Sequence, residues 1–348
     1  MPPQDVAEPT FLAACRGRPV PRTPVWIMRQ AGRYLPEYRK IREGTDFLGF
    51  TKMPELAAEA TLQPIRRFDL DAAILFADIM TPVEGMGIEL EFDGGPYIPD
   101  PVRDAAAVDR LRVGDPEASV PHTLETIRRV REELPASVPL IGFAGAPFTV
   151  FCYLVEGRGS RTFAAARAFL NAEPVAARRL LALLTETTIG YLAAQAAAGA
   201  QALMLFDSWI GLLARQDFAD IVLPEVARIL GALEPLGLPL IYFPNQGGHL
   251  LGDLTELPAD VIGVDWRTPL REARDILGQD VTLQGNLDPA VLFAPRETLG
   301  RRIDAVLDDA GSGRHVFNLG HGIDRSTDPD AVAFLVDRVH ARTTRPGF

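Results

Sequence analysis

Eight short apolar runs, each followed by a longer stretch with helical spacing, constrain this chain more than any single residue does. The runs lie at Val25–Met28, Ala72–Phe76, Pro139–Phe143, Ala202–Phe206, Pro239–Phe243, Val261–Val264, Val281–Gln284 and His315–Asn318. Their length and their β-branched or aromatic content read as strands. Helical stretches are expected at Pro54–Arg67, Thr123–Glu133, Pro174–Ala198, Asp217–Leu233, Gly248–Leu257, Pro269–Leu277, Pro295–Ala310 and Pro329–Val339. Several open on proline, which suits a first helical turn. Strand–helix alternation requires a parallel sheet, and eight rounds of it predict a closed barrel. An open doubly wound sheet is the alternative, but no strand is followed by a G-x-G-x-x-G phosphate fingerprint. One piece departs from the alternation. Gly87–Pro99, GIELEFDGGPYIP, has period two around Asp93-Gly94-Gly95 and predicts a β-hairpin inserted after the second strand. The expected fold is α/β, a single-domain (β/α)8 TIM barrel over residues 1–348, with residues 1–8 and 343–348 as flexible ends.

Composition narrows the function. A net charge of −11 and a pI near 5.0 argue against nucleic acid and against an anionic membrane surface as partners. They leave room for an anionic small molecule, because screening over roughly 8 Å lets local arginines decide what a pocket sees. Two cysteines, Cys15 and Cys152, fit a reducing cytosol and lack metal-ligand spacing. The N-terminal MPPQDVAEPT has no basic and apolar regions of a signal peptide. Thr187–Phe206 carries no charge and is long enough to span a bilayer, but Gln195, Gly199 and Gln201 interrupt it, and it reads as a buried helix running into a strand. Only Lys40 and Lys52 are lysines, against thirty-three arginines, and neither ends a strand-like run, so a Schiff-base lysine has no candidate. Among His122, His249, His315, His321 and His340, no cysteine or acidic cluster completes a metal site. No cofactor and no metal are expected.

In such a barrel the chemistry sits at the C-terminal strand ends, and those ends carry unusual polar residues: Arg29, Asp78, Asp207-Ser208, Asp265, Asn286, and Asn318 with His321. Arg29 and Arg33 flank Ala31-Gly32 after the run PVWIM. On a helical turn they would share a face; in a loop, backbone N–H groups around Gly32 could also meet an anion. Two planar forks suit carboxylates, although pairing with Glu37 or Glu43 is the structural alternative. Asp78 follows AAILFA, where a carboxylate has lost much of its water. It could salt-bridge Arg29 or Arg33, or face ligand N–H donors or a developing positive charge.

The blocks PVWIMRQAGRYLPEYR, TLQPIRRFDLDAAILFADI, GFAGAPFTVFCYLVEG, FDSWIG, VIGVDW, LQGNLDP and HVFNLGHGI, in this order, closely resemble the uroporphyrinogen decarboxylase family of tetrapyrrole biosynthesis, over roughly residues 8–342. The resemblance implies a cytoplasmic, homodimeric enzyme without metal or organic cofactor. It would convert uroporphyrinogen III to coproporphyrinogen III by removing carbon dioxide from four acetate arms. It also implies a substrate-binding stretch from Arg29 through Gln30, Ala31 and Gly32 to Arg33, with Phe47, Asp78, Tyr153, Ser208 and His321 completing the pocket. Asp78, Arg29, Tyr153 and His321 would be the catalytic members, with Asp78 bonded to the pyrrole N–H groups.

The residues agree with that chemistry. Loss of carbon dioxide from an acetate arm needs an electron sink, and a pyrrole protonated at the ring carbon bearing the arm supplies one. An arginine, with pKa above about 12, is poorly matched to general-acid work near neutrality, so Arg29 reads more readily as a clamp. His321 could give a proton or bind a carboxylate, and Tyr153 could close the pocket or simply pack. Asp265-Trp266-Arg267 and Asn286–Pro289 suit buried polar turns, and Cys152 suits a core position. Ile210, Phe243–Gln246 and Asp324-Arg325-Ser326-Thr327 depart from the family's common pattern and bear on the pocket wall and rim loops. Two rivals remain. A methyltransferase of the same superfamily would need a His/Cys zinc set, and a non-catalytic tetrapyrrole carrier could dispense with Asp78, Tyr153 or His321.

Overall fold

The computed structural model describes residues 8–345 and Gly347. Seven parallel strands form one sheet in the order β1 (Ala73–Ile74), β4 (Leu140–Gly145), β5 (Ala202–Asp207), β6 (Leu240–Pro244), β7 (Val261–Gly263), β8 (Thr282–Leu287) and β9 (His315–Leu319). The inserted hairpin is present as β2 (Glu91–Phe92) paired antiparallel with β3 (Pro96–Tyr97). Every residue of β4 to β9 is buried, as continuous apolar runs between a packed barrel interior and an outer helical layer must be. Apolar positions at period 3.6 turn the faces of helices Pro54–Arg67 and Pro121–Glu133 inward. The apolar stretch at 187–206 is a helix, Pro174–Ala198, running into β5. It is long and apolar enough to cross a membrane by composition, and half of that window is buried inside the fold. Gln195 on this helix exchanges hydrogen bonds with both backbone groups of Phe143 at 2.9 and 2.8 Å. Gly142 makes room, since a Cβ there would lie 2.6 Å from the Gln195 Oε1.

The expected first strand is the main correction. Val25 makes a single parallel bridge to Phe317 of β9, and the rest of Val25–Met28 forms no ladder. Side chains take the ladder's place. Val25 N–H donates to Asp71 Oδ2 (2.8 Å), Ile27 N–H to Gln30 Oε1 (3.0 Å) and Met28 N–H to Asn318 Oδ1 (2.9 Å). Asp71 N–H returns a bond to Val25 O (2.8 Å), and Asp71 is itself held by Arg22 and His340. The segment therefore stands between the two edges of the sheet as an eighth stave of the barrel.

Other boundaries moved for local reasons. The expected helix Asp217–Leu233 is interrupted by a π-turn at Phe218–Val222, because Pro224 has no N–H to offer four residues back; the Asp220 carbonyl accepts from Arg178 instead. Gly248–Leu257 is only a short 3-10 turn, Gly248–Asp253, in keeping with two weak helix formers, Gly248 and Gly252. Helix Pro147–Glu156 was not expected. Apolar on nearly all sides, it shows no amphipathic period and closes on Gly157 in the left-handed region. Of the expected flexible ends, residues 1–7, 346 and 348 lie outside the described residues. At the other positions, Glu8 accepts from Arg16, Thr343 Oγ1 accepts from Thr23 N–H, and Arg345 N–H donates to Pro21 O.

Candidate active site

The strand ends surround a cleft of about 1010 Å³, at the upper end of small-molecule sites. Its floor is aromatic. Phe143, Phe206 and Phe243 come from three adjacent strands and meet edge to face, with ring centroids 5.4 and 6.3 Å apart. One wall adds Phe47, packed on Phe76 and on Phe92 of the hairpin at 6.0 and 4.8 Å. The insertion thus shapes the cleft as well as decorating the barrel.

Of the residues expected in the site, Arg29, Ala31, Gly32, Arg33, Phe47, Asp78, Tyr153, Ser208 and His321 line this cleft. Gln30 does not. It is fully buried, its amide accepts from Ile27 N–H and donates to Ala72 O (3.0 Å), and its carbonyl accepts the Tyr34 hydroxyl (2.8 Å). Gln30 sets the stave that carries the arginines and has nothing left to offer a ligand.

Arg29 sits at φ +65°, a costly conformation for a residue with a Cβ. That turn follows the side-chain-bonded stave, and it ends any helical register, so Arg29 and Arg33 belong to a loop. The Arg29 side chain lies against Gly322, where a Cβ would come within 2.4 Å of its Cδ. Neither arginine has a carboxylate within ion-pair distance among the described residues, and Glu37 pairs with Arg67 instead. Arg42 and Arg325 stand on the same rim, also without an ion pair among the described residues. The rim's acids are occupied elsewhere: Asp46, Asp288 and Asp324 accept backbone N–H groups of Gly49, Ala290 and Ser326.

Asp78 follows β1 at the cleft floor. Its Oδ1 accepts Met80 N–H at 2.8 Å, and no arginine lies within ion-pair distance among the described residues. The salt-bridge alternative is therefore not what the fold adopts. Burial pushes its carboxyl up from 3.8 to about 6, against the opposing pull of the Met80 N–H and the Arg29 charge. His321, in the loop after β9, is pushed down to about 4 by burial, with Arg29 and Arg267 adding to it. It presents a neutral imbidazole at pH 7. Tyr153 packs edge to face on Phe163 and Trp209 at 5.6 and 6.2 Å, and burial raises its phenol, which keeps its proton. Ser208 stands in the turn after β5, its carbonyl held by Asn245 (2.9 Å).

Other expectations resolve beside the cleft. Asp265 accepts from Arg267, and Asn286 ties the Asp265 and Thr268 carbonyls, so both serve turns. Ile210 is fully buried in the main core and leaves the cleft surface beside Ser208 untouched. Cys152 is buried and its thiol raised well above the ordinary value, as a core cysteine would be. Lys52 pairs with Glu84 at 2.9 Å. No group of three His, Cys, Asp or Glu side chains able to hold a metal ion occurs among the described residues. The aromatic floor and Arg42 went unread in the sequence. Phe206 and Phe243 close their apolar runs, and an aromatic at a barrel strand's C-terminal end was the available signal.

Comparison with known proteins gives a consistent picture. The family model for uroporphyrinogen decarboxylase (URO-D) matches residues 7–342. Proteins named uroporphyrinogen decarboxylase from Syntrophotalea carbinolica and Myxococcus xanthus are 53% and 50% identical, over 96% and 95% of this chain and 97% and 95% of theirs. A methyltransferase from Methanosarcina mazei superposes with a TM-score of 0.82 over 96% of this chain and 98% of its own, at 21% identity, a likeness of fold.

Proposed function

The chain belongs to the uroporphyrinogen decarboxylase family, and from that premise we propose how its cleft divides the work. The reaction is the decarboxylation of the acetate arms of uroporphyrinogen III to methyl groups, giving coproporphyrinogen III and carbon dioxide in heme biosynthesis. The aromatic floor receives the macrocycle, and the unpaired guanidinium groups of Arg29 and Arg33 receive carboxylates at its edge. Ala31 and Gly32 bring the backbone close enough to line the same edge. Phe47 closes one wall.

Asp78 meets the pyrrole N–H groups from below. A proton added to the ring carbon bearing an acetate arm leaves a cation on the pyrrole. The carbon–carboxylate bond then breaks toward that cation and carbon dioxide departs. The remaining exocyclic methylene takes a proton to become methyl, and the ring carbon gives up the proton it had gained, restoring the pyrrole. The substrate's own ring is the electron sink, so the step needs no organic cofactor or metal. The Asp78 carboxylate lowers the cation's energy because it is fixed in place and shielded from water before the charge develops. His321, neutral, and Tyr153, protonated, offer hydrogen bonds to the arms, as does Ser208.

One observation carries this reading. Asp78 has spent one oxygen on Met80 N–H and keeps the rest of its carboxylate for a cleft whose rim arginines have no ion-paired acids among the described residues. The test is incubation of chelator-treated protein with uroporphyrinogen III under reducing conditions. Stepwise loss of carboxylates is expected. Tight binding without product would make the protein a carrier and end the proposal. The whole chain acts as one catalytic unit in this reading, as a cytoplasmic homodimer with no nucleic-acid or membrane partner.

A further inference from the structure

Beside the cleft lies an outer pocket of about 530 Å³, lined by Arg33, Arg39, Arg42 and Arg325 with Tyr38, Glu43 and Ser326. It shares Arg33, Arg42 and Arg325 with the cleft, so the two adjoin. In a chain of net charge −11, acids are at hand for surface arginines: Arg66 reaches Glu59 and Glu133, and Arg129 reaches Glu55 and Glu125. Around this pocket none of the four guanidinium groups has a carboxylate within ion-pair distance among the described residues. Other contacts hold them in place. Arg39 donates to the carbonyls of Arg33 (2.9 Å) and Tyr34 (3.4 Å), and the Arg42 guanidinium lies 5.6 Å over the Phe47 ring. Asp324, next to Arg325, is occupied by the Ser326 N–H. Four like charges gathered with one carboxylate, Glu43, which pairs with none of them among the described residues, repel one another, and a bound anion lowers that cost.

We propose that this outer pocket is a second carboxylate subsite, built by Arg39 and Arg325 with Arg33 and Arg42, for the arms that project from the cleft while another arm reacts. The inference rests on the tetrapyrrole reading of the cleft. Such a substrate carries an acetate and a propionate on every ring, more carboxylates than Arg29 and Arg33 can hold. The propionates survive every round, so a pocket that grips them serves the intermediates as well as the first substrate. Arg325 lies in Asp324-Arg325-Ser326-Thr327, in the loop after β9, and brings a second segment of the chain to the pocket.

The decisive comparison is wild type against Arg39→Ala/Arg325→Ala. Exposed guanidinium–carboxylate contacts are each modest, so losing two should raise KM for uroporphyrinogen III about tenfold and leave kcat within twofold. The variant's KM should also depend less steeply on salt. Arg325→Lys should recover part of the loss, and an unchanged Tm shows that folding is intact. Binding of unreactive uroporphyrin III, followed by fluorescence, should weaken in parallel, and does so whether or not turnover occurs. That readout separates failure of the subsite from failure of the catalytic reading. A KM within twofold of wild type overturns the proposal. So does weakened binding of inorganic phosphate alone with KM unchanged, or a changed sedimentation coefficient, which would make the pocket a contact between copies.

Discussion

Asp78 and Asp207 are the same residue type, delivered by parallel strands to the same end of the barrel and pushed by burial to the same acidity, about 6. They differ in what their oxygens still have to give. Asp207 is fully buried, with Oδ1 bonded to the Thr149 hydroxyl and Oδ2 to the Tyr242 hydroxyl, both at 2.8 Å. It faces no cleft. Asp78 has a single backbone donor and opens on the site. A perturbed acidity therefore marks both carboxylates but selects neither; unspent hydrogen-bonding capacity facing a cavity selects Asp78.

The sharpest way to break the comparison is to remove each carboxylate's function in turn. Asp78→Ala should lower kcat/KM by a factor on the order of 100 to 1000, the usual loss of a preorganised counter-charge, with Asp78→Glu damaged less. Near wild-type kcat/KM in Asp78→Ala would sink the assignment. The next effect concerns stability. Ionisation of either carboxyl is opposed in the folded state, since each lies near 6 there and near 3.8 when exposed. Between those values the native protein holds more protons than the unfolded chain. Stability should then fall as pH rises from about 4 to about 6 and level off above. Each group contributes on the order of 3 kcal/mol to that fall. Asp78→Asn keeps an acceptor for Met80 N–H, so it should shrink the fall and raise Tm at pH 7 while lowering kcat/KM about as far as Asp78→Ala does. A denaturation series at several pH values that gives the same slope for variant and wild type would contradict this. The smallest effect belongs to the closed carboxylate. Tyr242→Phe leaves Asp207 with one donor and should cost roughly 1–3 kcal/mol in urea, while kcat/KM stays within about tenfold. A larger loss of kcat/KM than of stability would move Asp207 into the catalytic machinery.

This contrast also shows what a sequence can carry. Asp78 was legible because a carboxylate ending an apolar run has few uses. Asp207 ends a similar run, and only the arrival of Thr149 and Tyr242 from distant helix and strand closes it. The barrel was legible from repeated short apolar runs, including the inserted hairpin with its Asp-Gly-Gly turn. The first stave looked like the others, yet its Val25, Ile27 and Met28 N–H groups go to Asp71, Gln30 and Asn318, and side-chain bonding of that kind leaves no period in the sequence. Gln30 was misplaced into the cleft for the same reason: its neighbours Arg29 and Ala31 do line it, and only tertiary contacts reveal that the amide turns back. Helix Pro147–Glu156 was missed because burial on nearly every side weakens the amphipathic signal.

A ladder-bonded strand can slide by two residues and keep every side chain on its proper face. The segment before Arg29 has no such second berth. One carboxylate, one glutamine amide and one asparagine act as keyed pins, each matched to a particular N–H. The reach of that arginine into the cleft is thus indexed by parts of the chain as remote as Asn318, and a change at any pin would retune it without touching the site.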